Sequence, residues 1–589
     1  MDCRGKPAPG HLARAVLRQN GPVHDHSEVY AIEPVGSHSV LVGIPGSDIR
    51  NLVRNKKLRP KFSRVRAQVY CTHAPVEFGT HTQCELPSWL QGILLRNGPG
   101  MHTVGETRYN HWFDGLALMH SFTFKNGEVY YRSKYLRSDA YNCNIEANRI
   151  VVSEFGTMAY PDPCKNLFAK AFCYLSHTIP EFTDNCLINI MKTGEDYYAT
   201  SETNFIRKIN PHTLETLEKV DYNKYVAVNL ATSHPHYDSA GNVLNMGTSI
   251  VDKGKTKYVI FKIPSSVPEK EKKLSCLKHL EVLCSIPSQS LLHPSYYHSF
   301  GVTENYIIFM EQPFKLDILK LATAYFRGVN WASCLSFHKE DKTWIHLIDK
   351  QTKKDISTKI YTDAMVLFHH VNAYEEDGHV VIDVISYSDN SLYQMFYLKN
   401  LNESFEENTK LTSIPACKRF VVPLGFGKDA EVGTNLVKLP STTATALKEK
   451  DGNIYCQPEM LCEGIELPRI NYDYNGKKYR YFYATEVRWS PVPTKITKYD
   501  VLTKKKLSWE EEHCWPAEPV FVPSPDLKEE DDGLILSSIV TSDPRKAPFL
   551  LVLDAKTFTE MARATVNVNL HLDLHGLFIP EKDLNAEHE

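Results

Sequence analysis

The chain has 589 residues, of which 42% are hydrophobic and 11% aromatic, so it can bury a large core. Its net charge of -3 lacks the basic excess that is typical of proteins that bind nucleic acids. The mean hydropathy is -0.34 and no uninterrupted apolar stretch reaches about 18 residues, which argues against a transmembrane helix.

The N-terminal part of the chain differs from the rest. It contains the basic run RNLVRNKKLRPKFSRVR at 50–66 and little hydrophobic periodicity. We therefore expect residues 1–84 to form a mobile extension and residues 85–589 to form a single domain. A transit peptide is the alternative, although acidic residues and a weak amphipathic pattern count against it.

The 14 cysteines are scattered along the chain and none forms a CxxC pair. The first residues lack the apolar segment of a secretory signal. Free thiols in a reducing compartment are therefore expected, and the cytosol is the expected location.

Glycine-containing turns beside alternating β-branched and aromatic residues recur along the chain. Such units predict β-hairpins. At least seven of them indicate one large all-β structure, and a propeller suits this length better than a sandwich. The units lie at 125–136, 192–202, 239–249, 376–386, 450–459, 474–486 and 531–542.

Helical patterns are sparse. In the segment 161–175, Asp162 and Pro163 suit a helix start, and Phe168 and Phe172 belong to one apolar face. A second pattern covers 314–326. We expect these segments to form a helical lid over one end of the sheet structure.

Four histidines stand next to strand-like runs, at 231–238, 295–301, 367–375 and 570–578. The four are His234, His298, His369 and His575, and the successive separations between them are 64, 71 and 206 residues. Zinc fingers have short fixed spacings, so they are excluded. Long separations suit metal ligands that separate blades deliver to a central axis, but a single histidine is usually a surface residue or a hydrogen-bonded core residue.

Ten motifs, in this order, resemble the carotenoid cleavage oxygenase family over about residues 85–580. They are LLRNGPG (94–100), YNHWFDGLALMHSF (109–122), EFGTMAYPDPCKN (154–166), SETNF (201–205), ATSHPHYD (231–238), PSYYHSFG (294–301), FHHVNAYEEDG (368–378), IELPRINY (465–472), CWPAEPVFVP (514–523) and LHGLFIP (574–580). The resemblance implies a seven-bladed β-propeller with a helical cap over the iron-bearing face.

The resemblance also implies one non-haem Fe(II) per chain, held on the axis by four histidines. Matched motif by motif, the ligands are His234, His298, His369 and His575, whereas His236 and His370 are not ligands. Imidazole is a suitable ligand for ferrous iron.

Three carboxylates match positions that hold the ligating rings in the family. Glu202, Glu466 and Glu518 are expected to accept hydrogen bonds from His298, His369 and His575, respectively, as metal-bound imidazoles require. His234 has no carboxylate partner in this scheme.

The implied substrate is an insoluble, rod-like polyene, which needs a long apolar tunnel. Motif positions suggest Phe155, Tyr296, Tyr387 and Trp515 as tunnel walls, with ordinary core packing as the alternative. Phe168 and Phe172 are expected to face a membrane from which the substrate is taken.

The resemblance is strongest to members that split β-carotene at its central double bond with O₂, giving two molecules of retinal, the aldehyde of vitamin A. Eccentric cleavage and retinyl-ester isomerohydrolysis are alternatives, because both use the same iron site. A non-catalytic carotenoid-binding protein is a third alternative.

We expect the protein to be a monomer and to bind no nucleic acid.

Overall fold

The computed structural model describes residues 65–70, 86–159, 182–268, 275–356, 359–402, 413–425, 430–487, 492–543 and 545–584. Within these residues β-strands prevail, which agrees with the all-β prediction. The boundary proposed at residue 84 stays a prediction, because the structure describes only residues 65–70 of that N-terminal segment. No described helix is both long and apolar enough to cross a lipid bilayer.

The strands of the N-terminal half are numbered in chain order. They are β1 (Val65–Tyr70), β2 (Gly92–Met101), β3 (Thr103–Val104), β4 (Thr107–Arg108), β5 (Leu116–Lys125), β6 (Glu128–Tyr135), β7 (Asn189–Thr193), β8 (Asp196–Thr200), β9 (Phe205–Ile209), β10 (Thr216–Asp221), β11 (Leu230–Ala231), β12 (His236–Tyr237), β13 (Val243–Asp252), β14 (Lys255–Ile263), β15 (Glu281–Pro287), β16 (Gly301–Val302), β17 (Tyr306–Glu311) and β18 (Phe314–Leu316).

The remaining strands follow in the C-terminal half. They are β19 (Leu335–Phe337), β20 (Thr343–Asp349), β21 (Lys354–Asp355), β22 (Ile360–Thr362), β23 (Val366–Glu376), β24 (His379–Tyr387), β25 (Ala416–Pro423), β26 (Thr445–Lys448), β27 (Ile454–Gln457), β28 (Glu459–Glu463), β29 (Ile465–Arg469), β30 (Tyr481–Glu486), β31 (Lys495–Asp500), β32 (Lys505–Trp509), β33 (Cys514–Pro516), β34 (Val520–Pro523), β35 (Gly533–Thr541), β36 (Phe549–Asp554), β37 (Glu560–Thr565) and β38 (His575–Pro580).

The helices that the structure describes are short. The α-helices are α1 (Asp139–Ala147), α2 (Ile318–Ala322), α3 (Ala324–Arg327), α4 (Ser391–Met395), α5 (Leu398–Asn402) and α6 (Glu581–Leu584). The 3-10 turns are Trp112–Asp114, Tyr222–Lys224, Cys276–His279, Ala332–Cys334 and Tyr472–Tyr474.

The strands form a propeller of six blades, so the prediction of seven was wrong. Sheets of four or more strands number six in the described part of the chain, with ten, four, five, seven, four and four strands. The ten-stranded sheet explains the difference. Its order is β33-β35-β36-β37-β1-β6-β5-β2-β38, with β34 as the tenth strand beside β35. Because β1 pairs with both β37 and β6, strands from the two ends of the chain become one sheet.

The hairpin between β23 and β24 shows how the local sequence produces these sheets. Asp377 and Gly378 both have positive φ, 44° and 74°, which is the conformation of a two-residue type I′ turn. Glu376 then pairs with His379 and the ladder continues along both strands. Every residue of β24 is buried, because neighbouring strands and sheets cover both of its faces.

The prediction of one helix over 314–326 was wrong for its first residues, which form a strand. Phe314–Leu316 pairs with β19 as strand β18. Asp317 then caps helix α2, its side chain accepting a hydrogen bond from the backbone N–H of Lys320 at 2.8 Å. The apolar period that suggested one helix therefore spans a strand, a cap and two short helices.

A buried ion pair joins β24 to β25. Arg419 donates to Asp383 at 2.8 and 2.7 Å, and the hydroxyl of Tyr479 donates to the same carboxylate at 2.7 Å. Arg419 and Asp383 are only 6% and 0% exposed, so the charges depend on each other.

Replacing Arg419 with alanine should lower the free energy of unfolding by about 3–5 kcal/mol, because the Asp383 carboxylate stays buried without its cation. Urea unfolding monitored by circular dichroism measures this loss. Arg545→Ala, which breaks an ion pair whose arginine is 88% exposed, is the control and should leave stability essentially unchanged. Equal losses in the two variants would contradict the assignment.

His346 on β20 provides a pH-dependent contribution to stability. Burial lowers its pKa, but Asp355 at 2.7 Å and Glu311 at 3.1 Å outweigh this effect and raise the pKa to about 9. This stabilising contribution is therefore complete below about pH 6.5, the pKa of histidine in the unfolded state, and is lost as the pH rises through about 9.

The stability difference between the native protein and His346→Gln should shrink between pH 7 and 10, as measured by urea unfolding. A constant difference would contradict the raised pKa.

Candidate metal centre

Four histidines from four different sheets meet at one point. His234 lies between β11 and β12, His298 precedes β16, His369 lies in β23 and His575 begins β38. One nitrogen from each lies within 4.8 Å of the nitrogens of the others. The structure thus brings together the four residues that the family resemblance implies, across sequence separations that no local element could span.

The rings pack closely and mostly edge to face. Their centroids are 4.5 Å apart for His234 with His298, 4.5 Å for His234 with His575 and 4.8 Å for His298 with His369. The Nε2 atoms of His234 and His298 are 2.8 Å apart. Such proximity requires rings that do not carry positive charge.

Burial keeps three of the four rings neutral, those of His234, His298 and His575. Desolvation lowers the pKa of His298, and it lowers the pKa of His575 to about 4. The pKa of His234 lies well below its usual value, first because of burial and then because of the three neighbouring histidines. Neutral imidazoles are the form that binds metal ions, so the site is ready for a cation at physiological pH.

Three glutamates orient three of the rings. Glu202 contacts Nδ1 of His298, Glu466 lies 2.6 Å from Nδ1 of His369, and Glu518 lies 2.8 Å from Nδ1 of His575. These are the pairs expected from the resemblance. Because each Nδ1–H donates to a carboxylate, each Nε2 is left to face the centre of the cluster. No described carboxylate contacts His234.

Each glutamate is itself held in place, and each by different donors. The hydroxyl of Tyr296 donates to Glu202. Glu466 accepts from the hydroxyl of Tyr387 at 2.9 Å and from the backbone N–H of Leu467 at 2.8 Å.

Glu518 accepts instead from two arginines, Arg96 at 2.8 Å and Arg469 at 3.4 Å. Burial alone would raise its pKa, but Arg469, His575 and Arg96 hold the pKa well below its ordinary range. Glu466 likewise has a lowered pKa, because His369 and its hydrogen-bond donors outweigh its burial. Both carboxylates are therefore anionic acceptors.

The residues present fit a transition-metal cation. Nε2 of His369 is buried without a hydrogen-bond partner in the described structure, an arrangement that normally costs about 1–3 kcal/mol. A cation at the centre of the cluster would satisfy this nitrogen. Four imidazole donors without a carboxylate in the cluster suit ions such as iron, copper, zinc or nickel rather than magnesium or calcium.

The two neighbouring histidines point elsewhere, as expected. Nε2 of His236 lies 2.9 Å from the carbonyl oxygen of Phe300, and Nδ1 of His370 lies 2.9 Å from the hydroxyl of Ser299. His370 follows His369 in β23, where successive side chains leave opposite faces of the strand. Irregular register with β24 on both sides of this pair marks local bulges.

An apolar cavity reaches the histidine cluster. Its lining includes His298, His575 and Glu202 at the cluster, Leu321 from α2 and Tyr393 from α4. Short helices therefore contribute to the covering of this end of the propeller. The remaining lining residues include five polar ones, Glu154, Thr183, Asn185, Ser201 and Thr203. The others are apolar or aromatic: Phe113, Phe155, Phe182, Leu187, Ile188, Leu230, Tyr296, Leu316, Trp331, Leu335, Phe368, Leu467 and Leu574.

The four predicted tunnel residues divide into two pairs. Phe155 and Tyr296 line the cavity, and their contact with substrate stays a prediction. Tyr387 and Trp515 do not line it. Tyr387 is fully buried and donates its hydroxyl to Glu466, and Trp515 packs in an apolar core cluster, so a tunnel role for these two stays a prediction. Phe168 and Phe172 lie outside the described residues.

Sequence analysis missed five aromatic residues of the cavity, which are Phe113, Phe182, Trp331, Phe368 and Tyr393. Phe368 stacks on His298 with ring centroids 4.1 Å apart, and Phe113 and Tyr393 line the same cavity. Phe113 and Phe368 stand within two of the quoted motifs, so their signal was present. Tyr393 belongs to no motif, and only the position of α4 over the cavity reveals it.

Comparisons with known proteins agree with this site. A family model described as retinal pigment epithelial membrane protein matches residues 70–580. Beta,beta-carotene 15,15'-dioxygenase of Gallus gallus is 79% identical over 515 residues, covering 87% of this chain and 98% of that protein. The Homo sapiens protein of the same name is 74% identical over 504 residues, covering 85% and 92%. Mitochondrial carotenoid-cleaving dioxygenase of Homo sapiens is 42% identical over 522 residues, covering 86% and 89%.

Solved structures share the fold. A glutamate-to-glutamine mutant of Synechocystis apocarotenoid oxygenase matches with a TM-score of 0.67 and 20% identity, covering 90% of this chain and 98% of that one. A cobalt-substituted form of the same oxygenase matches with a TM-score of 0.67 and 20% identity, covering 89% and 97%. At this identity the likeness concerns the fold alone.

Replacing His369 with alanine should abolish tight binding of one divalent transition-metal ion per chain, because the cluster loses a donor on a buried strand. Metal content after loading and desalting measures this. His370→Ala, at the adjacent position with its ring turned to Ser299, is the matched control and should retain full metal content. Retention of metal by the His369 variant would exclude this cluster as the binding site.

Proposed function

Because the chain belongs to the carotenoid oxygenase family, which includes retinal pigment epithelial membrane protein, we propose that it cleaves the central double bond of β-carotene with O₂. The products are two molecules of retinal. One observation carries this conclusion: the chain is far more similar to relatives named for the 15,15' bond than to those named only for carotenoid cleavage.

The cofactor in this proposal is one Fe(II) per chain. The family is iron-dependent, and the four clustered imidazoles fit such an ion, since Nε2 of His369 is buried without a partner in the described structure. His234, His298, His369 and His575 would hold it. When bound, ferrous iron supplies the oxygen activation that side chains alone cannot provide.

The chain's own residues bind and align the hydrocarbon. A polyene offers no hydrogen-bonding groups, so burial of its apolar surface in the cavity is the main source of affinity. Phe155, Tyr296 and Phe368 surround the space beside His298. Their ring faces carry partial negative charge, which favours a polyene that becomes electron-poor as oxygen attacks.

No side chain needs to transfer a proton in this reaction. The central carbon–carbon double bond breaks, and each of its two carbons ends as an aldehyde with one atom of the same O₂ molecule. The two glutamates that line the cavity are already engaged, Glu202 with His298 and Tyr296 and Glu154 with the hydroxyl of Thr183. Glu202, Glu466 and Glu518 instead hold the ligating rings, because each accepts from an Nδ1–H and leaves Nε2 for the ion.

We further propose a monomer located in the cytosol. All nine cysteines that the structure describes are free, as expected in a reducing compartment. Peripheral contact with a membrane, the natural source of an insoluble carotenoid, stays part of the proposal. The helix expected to make that contact lies outside the described residues.

Incubation of the Fe(II)-loaded protein with detergent-dispersed β-carotene in air should give retinal as the only aldehyde, at about two molecules per carotene consumed, because one central cut makes two equal halves. Chromatography separates the products. A longer apocarotenal would show that the cavity presents an off-centre bond. Hydrolysis of retinyl esters without use of O₂ would instead identify an isomerohydrolase, and bound but intact pigment would identify a carotenoid-binding protein.

A further inference from the structure

His234 is the exception among the four clustered histidines. The other three rings each donate Nδ1–H to a glutamate, whereas Nε2 of His234 lies 2.8 Å from Nε2 of His298. No carboxylate sets the angle of this ring in the described structure. Its position must therefore come from the backbone that carries it.

That backbone is tied to the neighbouring ligand by one hydroxyl. Oγ1 of Thr232 accepts a hydrogen bond from the backbone N–H of His234 at 3.0 Å. The same hydroxyl donates to the backbone carbonyl of His298. The first contact is a local turn that threonine often forms with the residue two positions ahead, but the second joins segments 66 residues apart.

Thr232 is itself immobilised. It is only 4% exposed, its N–H donates to the carbonyl of Met246 at 2.9 Å, and its carbonyl accepts from the side-chain amide of Asn245 at 3.0 Å. Both partners belong to β13, the long central strand of the same sheet. The Thr232 hydroxyl therefore connects a rigid strand to the backbone of two ligands in different blades.

We propose that the Thr232 hydroxyl is a positioning group for the metal centre, which sets the separation between His234 and His298 in place of the carboxylate that His234 lacks. This inference rests on the proposed metal-binding function of the cluster. Without the hydroxyl, the N–H of His234 and the carbonyl of His298 lose a shared partner, and the two segments can move apart. The unsupported ring then no longer meets the ion at the required angle.

The sequence offers a matched set of variants. Thr232→Val keeps the shape of the side chain and removes the hydroxyl, and Thr232→Ser restores the hydroxyl without the methyl group. Ser233→Ala is the control, because the hydroxyl of Ser233 is equally buried but has no hydrogen-bond partner in the described structure. All three changes are one or two atoms in size and lie beside the same ligand.

The primary measurement is the affinity of the apoprotein for Co(II), followed by visible absorption in competition with a chelator. Loss of an outer partner of a ligand typically weakens metal affinity 10–100-fold, so T232V should bind Co(II) at least about 10-fold more weakly than the native protein. T232S and S233A should bind it like the native protein. The Co(II) absorption bands of T232V should also shift, which reports a changed ligand geometry that a general loss of stability would not produce.

Native-like affinity and native bands in folded T232V would overturn the proposal. An equal loss of affinity in S233A would also overturn it, because the effect would then come from disturbed packing. If T232V does not fold, Thr232→Ala measured at low temperature decides the question by the same criteria. Absence of Co(II) binding by the native protein would instead refute the metal-binding function, so the two failures are distinguishable.

Discussion

An imidazole can offer one nitrogen to a metal ion only if its ring is neutral and its other nitrogen is engaged, and this constraint organises the centre of the molecule. Burial lowers the pKa of His234, His298 and His575 and so favours their neutral form. Glutamates at 2.6–2.8 Å then accept from Nδ1 of His369 and His575, and Glu202 does the same for His298. The glutamates need donors of their own, which Tyr296, Tyr387 and Arg96 provide.

The propeller suits this constraint because several sheets converge on one axis while each stays rigid. Each clustered histidine comes from a different sheet, so no single loop has to fold around the ion. Strand β24, which pairs with the ligand-bearing β23, is buried along its whole length and is joined to β25 by the buried ion pair of Asp383 with Arg419. A rigid support of this kind lets four separate ligands keep their geometry, which loops alone would not hold.

Sequence patterns predicted the parts that depend on local chemistry. The Asp377-Gly378 turn and its alternating strands form the expected hairpin, and motif matching found the four histidines and their three carboxylates. The blade number was wrong because β1 joins β6 and β37, a pairing between distant parts of the chain that no local pattern encodes.

Side-chain direction explains most of what the sequence could not provide. Tyr387 stands in the expected region, but whether it faces the cavity or Glu466 depends on how β24 packs, and it faces Glu466. The helix that was expected to begin at Phe314 begins after Asp317, because Phe314–Leu316 pairs with β19 as a strand. The bridge from Thr232 to His298 spans two sheets and could be recognised only in three dimensions.

The most direct test of this account is a diffraction measurement at the iron absorption edge, on crystals of the Fe(II)-loaded protein grown without oxygen. The account predicts a single anomalous peak bonded to Nε2 of His234, His298, His369 and His575, with the three glutamates still on their Nδ1 atoms. A peak bonded to His236 or His370, or an ion that takes a glutamate oxygen in place of one of the four nitrogens, would contradict it.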